Sequence, residues 1–292
     1  MKERKEVSEV KEVKEVEEKS GRVAAFFDLD GTLVALPSLE RRLFRTLRYR
    51  REIRTKNYFF WLLEALRLMP RGINAILQAN KMYLRGLQIL DERGEGDGEV
   101  SSRHKGGHQA EGQAAPPRRN PRLPVPTFFA QGIEVVAWHA KQVHEVVVIS
   151  GTLEPLARVA ARALETELAA RGITITIRVI ATSLEERNGK FTGEVLGEAM
   201  FGEAKACAAK RLAEEMRLEL GRCYAYGDSL HDRWLLEAVG RPAAVNPSKD
   251  LAGIARTHGW PVLNWGGEES SMQRARAHRE VAKKEERRSA IA

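Results

Sequence analysis

The sequence predicts an α/β fold, a parallel sheet with helices on both faces, interrupted after its first strand by a long helical insertion. Three observations predict it. Short apolar runs alternate with helix-length segments through the second half of the chain, the pattern of a parallel sheet. The first apolar run, Val23–Phe27, stands far from the second, with Arg- and Leu-rich sequence between them. Three of the runs end in polar clusters of Asp, Ser, Gly and Thr, as strands do where ligands bind in such sheets.

Taken in order, residues 1–20 are almost entirely Lys, Glu and Val, with Val7, Val10, Val13 and Val16 spaced by three. A constant step of three winds around a helix and forms no apolar stripe, so this segment reads as a charged, disordered tail. Val23–Phe27, ended by DLDGT, reads as a buried strand. Residues 38–90 read as helical, with Phe59, Trp61, Leu62, Leu63 and Leu66 supplying apolar faces. Composition then shifts to Gly, Ser, His, Gln, Pro and Arg, which predicts a disordered insertion over about residues 91–127. A further helix runs from near Phe128 through His139.

The remainder alternates. Strands are expected at Val146–Ile149, Ile173–Ile180, Cys223–Tyr226, Ala243–Val245 and Val262–Leu263. Helices are expected at Leu153–Ala170, Glu203–Arg217, Asp232–Val239 and Lys249–His258, and GKFTGEVLG at 189–197 reads as a hairpin. The expected organisation is a core from 21–37 and 141–265, a helical cap at 38–140 containing the insertion, and a second charged tail at 266–292.

Bulk properties exclude several classes. Among 292 residues, 43% are hydrophobic, enough for a sizeable core. Two cysteines, Cys207 and Cys223, cannot make a disulfide scaffold and have no zinc-site spacing. The opening MKERKEVSEV has no apolar segment of a signal peptide, and YFFWLLEAL at 58–66 is too short to span a bilayer. The expected location is cytoplasmic, with peripheral contact at the inner membrane surface as the one membrane role. The formal net charge of +8 favours an acidic partner, and no specific nucleic acid is expected.

The polar strand ends hold the candidate chemistry. The first gives Asp28 and Asp30 with Gly31 and Thr32; the second gives Ser150, Gly151 and Thr152; a third gives Gly227, Asp228, Ser229 and Asp232. Lys205 lies early on the preceding helix. Four convergent carboxylates repel unless a cation neutralises them, and oxygen donors without His or Cys point to Mg²⁺.

DLDGT, SGT after an apolar strand, a lysine and GDSLHD, in that order, resemble the four motifs of the haloacid dehalogenase (HAD) superfamily. ATSLEERNGKFTGEVLG, FGEAKACAAKRLAEE, PAAVNP and GWPVLNW resemble its subfamily IB, the phosphoserine-phosphatase-like branch. The resemblance covers residues 22–90 and 128–265. It implies a HAD-type Rossmann-like sheet with a cap inserted between the first two motifs. It also implies a Mg²⁺-dependent phosphomonoester hydrolase acting through an aspartyl-phosphate. Asp28 would be the nucleophile and Asp30 the acid–base. Asp28, the Asp30 carbonyl and Asp228 would hold the metal, with Asp232 binding metal-ligated water or orienting Lys205. Ser150, the Gly151 N–H and Lys205 would bind the phosphoryl oxygens. On the residues themselves, Thr32 reads as capping its turn and Asn246 as shaping another; His104 and His108 fall in the insertion, and His139, His144, His231 and His258 read as solvated or packing residues.

Departures bear on the substrate. SGTL stands where phosphoserine phosphatases have SGGF, and LVALPSLER has no clear counterpart of their ammonium-binding acid, so phosphoserine is not the first expectation. A small phosphorylated metabolite or a glycerolipid phosphate is. The stretch from Arg41 to Lys56 reads either as a solvated helix packing its apolar face inward or as a basic helix for anionic membrane. A phosphotransferase with the same aspartyl-phosphate chemistry, or a non-catalytic binding protein on this scaffold, are the alternatives in function. The oligomeric state is not legible.

Overall fold

The computed structural model describes residues 22–88 and 123–266. The tail expected at 1–20, all but the first residue of the one expected at 266–292, most of the expected insertion, and His104 and His108 lie outside the described residues.

Six strands form one parallel sheet in the order β3-β2-β1-β6-β7-β8. They are β1 (Ala24–Phe27), β2 (Glu145–Leu153), β3 (Arg178–Thr182), β6 (Tyr224–Gly227), β7 (Arg241–Val245) and β8 (Val262–Leu263). Apolar on both faces, β1 lies inside the sheet, and its side chains divide two cores. Ala25 and Phe27 join a cluster with Val148, Leu156 and Ile133. Ala24 and Phe26 join another with Val147, Ile149 and Ala208. Helices therefore cover both faces, as the unbroken apolar strands require. The first face carries α4 (Ala130–Lys141) and α5 (Glu154–Ala170); the second carries α6 (Glu203–Met216), α7 (Arg233–Glu237) and α8 (Lys249–His258).

Register positions the strand ends. Phe27 is level with Val148 of β2 and with Tyr226 of β6, so Asp28, the Ser150 region and Asp228 emerge side by side. β2 runs past the expected Ile149 to Leu153, with a register shift between Ser150 and Leu153. The segment expected to be a strand from Ile173 pairs only from Arg178. Before that, Ile173, Ile175 and Ile177 pack on the core while Glu165 accepts the Ile177 N–H at 2.6 Å. A hairpin forms, but earlier than the expected 189–197: β4 (Leu184–Arg187) and β5 (Lys190–Val195) make a separate two-stranded sheet, and the expected segment supplies only its second strand. Its turn residues Asn188 and Gly189 both have positive φ, the geometry of a tight two-residue hairpin turn.

Between β1 and β2 lie α1 (Leu39–Tyr49), α2 (Thr55–Leu68) and α3 (Ile73–Ala79), the cap. Ser38 caps α1, accepting the Arg41 N–H at 3.3 Å. Leu39, Leu43 and Leu47, spaced by four, are buried in the core beneath, while Arg41, Arg45 and Arg48 face solvent. The inward-packing reading of α1 is the one observed. Arg42 is committed elsewhere: its guanidinium donates to the carbonyls of Pro37, Ala35 and Val125 at 2.8, 2.6 and 3.2 Å.

α4, expected within the cap, packs on β2 through Ile133, Val136 and Ala137, so the core resumes near residue 128 rather than 141. Residues 123–127, expected in the insertion, are held as well. Leu123 packs on the core, and the Ala35 N–H donates to the Thr127 carbonyl at 2.8 Å. Among the described residues, no helix is long and apolar enough to cross a membrane.

Candidate active site

Asp28 continues the β1 ladder, its N–H donating to the Tyr226 carbonyl at 2.9 Å, and its side chain is buried. The Lys205 ammonium, reaching in from α6, donates to Asp28 Oδ1 and to Asp232 Oδ1, each at 2.5 Å. All three side chains are nearly inaccessible to water. A buried ammonium is tolerable only when it is paired, and here two carboxylates share it. Asp232 is locked from its other oxygen: Oδ2 accepts from the Ser229 hydroxyl at 2.8 Å and from the Ser229 and Asp228 N–H groups at 3.0 and 3.2 Å.

Asp30 faces the same region from the turn after β1. Its Oδ1 accepts the Leu39 N–H at 2.9 Å, and its Oδ2 accepts the Thr152 hydroxyl. Gly31, the next residue, has φ +94°, and a Cβ there would fall 2.2 Å from Asp228 Oδ2. Only glycine allows that conformation and that approach. Gly151 is constrained differently, since its missing Cβ is the space taken by the Phe201 ring. Ser150 is buried, with its Oγ accepting the Thr152 N–H at 3.2 Å.

Electrostatics follow from burial. Desolvation pushes Asp28 up to about 7, against the pull of Lys205 and with the push of Asp232. Burial also raises Asp30, offset by the hydrogen bonds from Thr152 and Leu39. Burial pulls Lys205 down, but Asp232 and Asp28 together hold it above the ordinary lysine range.

Carboxylate oxygens of Asp28, Asp228 and Asp232 lie within 4.8 Å of one another. An all-oxygen set of this kind suits a hard divalent cation such as Mg²⁺. Asp28, Asp228, Asp232 and Lys205 thus come together at one place, and Asp30 is joined to the end of β2 through Thr152.

Sequence reasoning missed several contributors. Thr152 and Ser229 were visible in the motifs, but the carboxylate each one holds is set by strand register. Glu40 lies 2.5 Å from the Lys81 ammonium and 2.7 Å from the Tyr83 hydroxyl, a cluster joining α1 to the end of the cap. It borders a cavity of about 640 Å³. Thr32 does not make the expected turn cap; its buried hydroxyl has no hydrogen-bond partner. Asn246 is a turn residue as expected, at φ +44°, accepting the Trp265 N–H at 2.7 Å. His139 is a packing residue, bonded to the Tyr226 hydroxyl at 2.9 Å and to His144 at 2.8 Å.

Comparison with known proteins places this arrangement. A protein of Mycobacterium tuberculosis named probable phosphatase is 32% identical over 244 residues, covering 84% of this chain and 76% of the relative. Phosphoserine phosphatase SerB1 of the same organism is 29% identical over 243 residues, 83% of this chain and 70% of that one. A solved structure from Bordetella pertussis Tohama I, described as of unknown function, superposes with a TM-score of 0.56 at 25% identity. It covers 84% of this chain and 99% of its own. The sequence pattern of the haloacid dehalogenase-like hydrolases matches residues 25–237, spanning β1 through α7 and every residue of the carboxylate–lysine cluster. With fold, site and sequence in agreement, this chain belongs to the haloacid dehalogenase-like hydrolase family.

Proposed function

We propose that this chain hydrolyses phosphomonoesters, with Mg²⁺ as cofactor and with Asp28 as a nucleophile that is transiently phosphorylated. The observation that carries this reading is Lys205 bridging Asp28 and Asp232, beside Asp228, at the ends of adjacent strands. Family membership, and relatives named phosphatase and phosphoserine phosphatase, support it.

In the first half-reaction an Asp28 oxygen bonds to phosphorus as the bond from phosphorus to the alcohol oxygen breaks. Asp30 gives its proton to the departing alkoxide, and burial favours the protonated form that this step needs. In the second, water attacks the aspartyl-phosphate and passes a proton to Asp30. Inorganic phosphate leaves and the Asp28 carboxylate returns. The Ser150 hydroxyl, the Gly151 N–H and the Lys205 ammonium hold the phosphoryl oxygens throughout. Asp28, Asp228 and the Asp30 main-chain carbonyl would hold Mg²⁺, with Asp232 engaging metal-bound water or fixing Lys205. Bound there, the cation offsets repulsion between the carboxylates and the phosphate dianion.

The substrate is a small phosphorylated metabolite or a glycerolipid phosphate, met in the cytoplasm or at its membrane surface. The test is phosphate release from p-nitrophenyl phosphate with Mg²⁺, after exhaustive chelation, and in Asp28→Asn. Chelation should abolish release and Mg²⁺ restore it, and Asp28→Asn should lose at least about a thousandfold in kcat while remaining folded. Activity of that variant within about tenfold of wild type overturns the covalent mechanism.

A further inference from the structure

α2 is amphipathic in the wrong direction for a helix that only packs inward. Phe59, Leu62, Leu63 and Leu66 recur at the spacing of one helical face, and all four are exposed, at 59%, 52%, 48% and 54%. Met69 and Ile73 extend the exposed apolar surface toward α3. The buried positions of α2 are instead Asn57, Ala65 and Leu68. Contiguous exposed apolar surface of this kind marks a site of contact.

The face adjoins the cavity of about 640 Å³. Phe44, Tyr58, Trp61, Ile76 and Phe201 form its apolar walls, and Tyr58 and Trp61 are themselves partly exposed, at 43% and 37%. Two links tie the cavity to the carboxylate cluster. Ser38 and Glu40, on its wall, flank Leu39, whose N–H is held by Asp30. Phe201 lies against Gly151. The alcohol that Asp30 protonates therefore departs beside this cavity. Glu40 is already neutralised by Lys81, so the walls offer burial more than a counter-charge. A volume in the range of drug-sized ligand sites greatly exceeds the three-carbon residue of phosphoserine.

Charge selects the surface. Exposed Arg51, Arg54 and Lys56 stand at the N-terminal end of α2, and Arg41 lines the cavity itself. The only acidic residue within α2 is Glu64, which is paired with Arg67. An apolar stripe flanked by cations fits an anionic bilayer, where each cation near the surface adds about 1 kcal/mol.

Resting on the phosphatase reading, we propose that the substrate is an amphiphilic phosphomonoester, its phosphate at Asp28 and its alkyl or acyl chain in the cap cavity, taken from an anionic lipid surface against which α2 rests. The test uses the full chain with Mg²⁺ and monoalkyl phosphates of increasing length below their aggregation limits, with p-nitrophenyl phosphate and O-phosphoserine alongside. kcat/KM should rise with chain length by up to about fourfold per methylene, the value of removing one CH₂ from water. Trp61→Ala should flatten that rise. Co-sedimentation with phosphatidylcholine vesicles should be slight, should increase at least about tenfold on adding phosphatidylglycerol, and should be lost in Leu62→Asp/Leu66→Asp with an unchanged circular dichroism spectrum.

A flat chain-length series with good turnover of p-nitrophenyl phosphate or phosphoserine overturns the inference and leaves the phosphatase reading standing. No turnover of any ester sinks the phosphatase reading and with it the substrate assignment, while the vesicle experiment, which requires no catalysis, still decides whether α2 rests on an anionic surface. Equal sedimentation with neutral and anionic vesicles, none with either, or self-association through the α2 face would assign the stripe to another partner and overturn the proposal.

Discussion

Thr152 shows how much of the site is decided by single hydrogen bonds. Its hydroxyl donates to Asp30 Oδ2 and stabilises the carboxylate form, opposing the rise that burial imposes. Thr152→Val should therefore raise the Asp30 pKa further, move the pH–rate profile upward and lower kcat by about ten- to a hundredfold. Thr152→Ser, which keeps the hydroxyl, should restore the profile; an unshifted profile in the valine variant would deny the role. The four aspartates were legible in the sequence because each follows a strand, and strand ends converge in a parallel sheet. Thr152 was legible only as a member of its motif, since its partner depends on β2 lying beside β1. Glu40 and Lys81 were not legible as a pair. They stand on separate cap elements, and nothing local to either names the other.

At the scale of elements, periodicity told which residues share a face but not which way the face points. α1 and α2 both carry apolar stripes, yet α1 buries its own and α2 exposes its own. Leu43→Ala, at a fully buried site, should cost about 2–5 kcal/mol in a denaturant titration, whereas Leu62→Ala should stay within about 0.5 kcal/mol. Comparable losses would mean that the outward face is packed. Strand lengths were hard to read for a related reason: β2 continues through Ser150 and Gly151, residues whose composition signals a loop. The α4–β2 layer adds a pH dependence. Burial, and then the neighbouring His144, hold His139 down from 6.5 to about 3. Between those values the unfolded chain binds a proton that the folded chain refuses, so stability present above pH 6.5 is lost as pH falls toward 3. The melting temperature should drop across that window, and His139→Gln should make the drop shallower. Parallel curves for the two proteins would remove His139 from the account.

For the whole molecule, alternation of strands and helices made the parallel sheet legible, while the strand order had to come from the structure. The cap boundary was blurred because α1 and α4 share the main core with the sheet rather than forming one of their own. Removing residues 90–122 and closing the gap with a Gly/Ser linker should leave p-nitrophenyl phosphate hydrolysis nearly unchanged. Gln88 is already bridged to Lys190, Leu123 already packs on the core, and doubling a loop costs only about 0.6 kcal/mol. Insoluble protein from that deletion would show that the removed stretch packs against the rest.

Arg42 gives the two crossings of the chain a mechanical character. One guanidinium grips carbonyls from the outgoing connection, at Ala35 and Pro37, and from the returning one, at Val125. Beside it the Ala35 N–H reaches the Thr127 carbonyl, and Val34 pairs with Phe128. The far edge of the insertion is fastened as well: the Gly86 N–H donates to the Phe191 carbonyl at 2.8 Å and the Phe191 N–H to the Leu87 carbonyl at 3.0 Å, so the cap is clamped at both edges rather than hung from one.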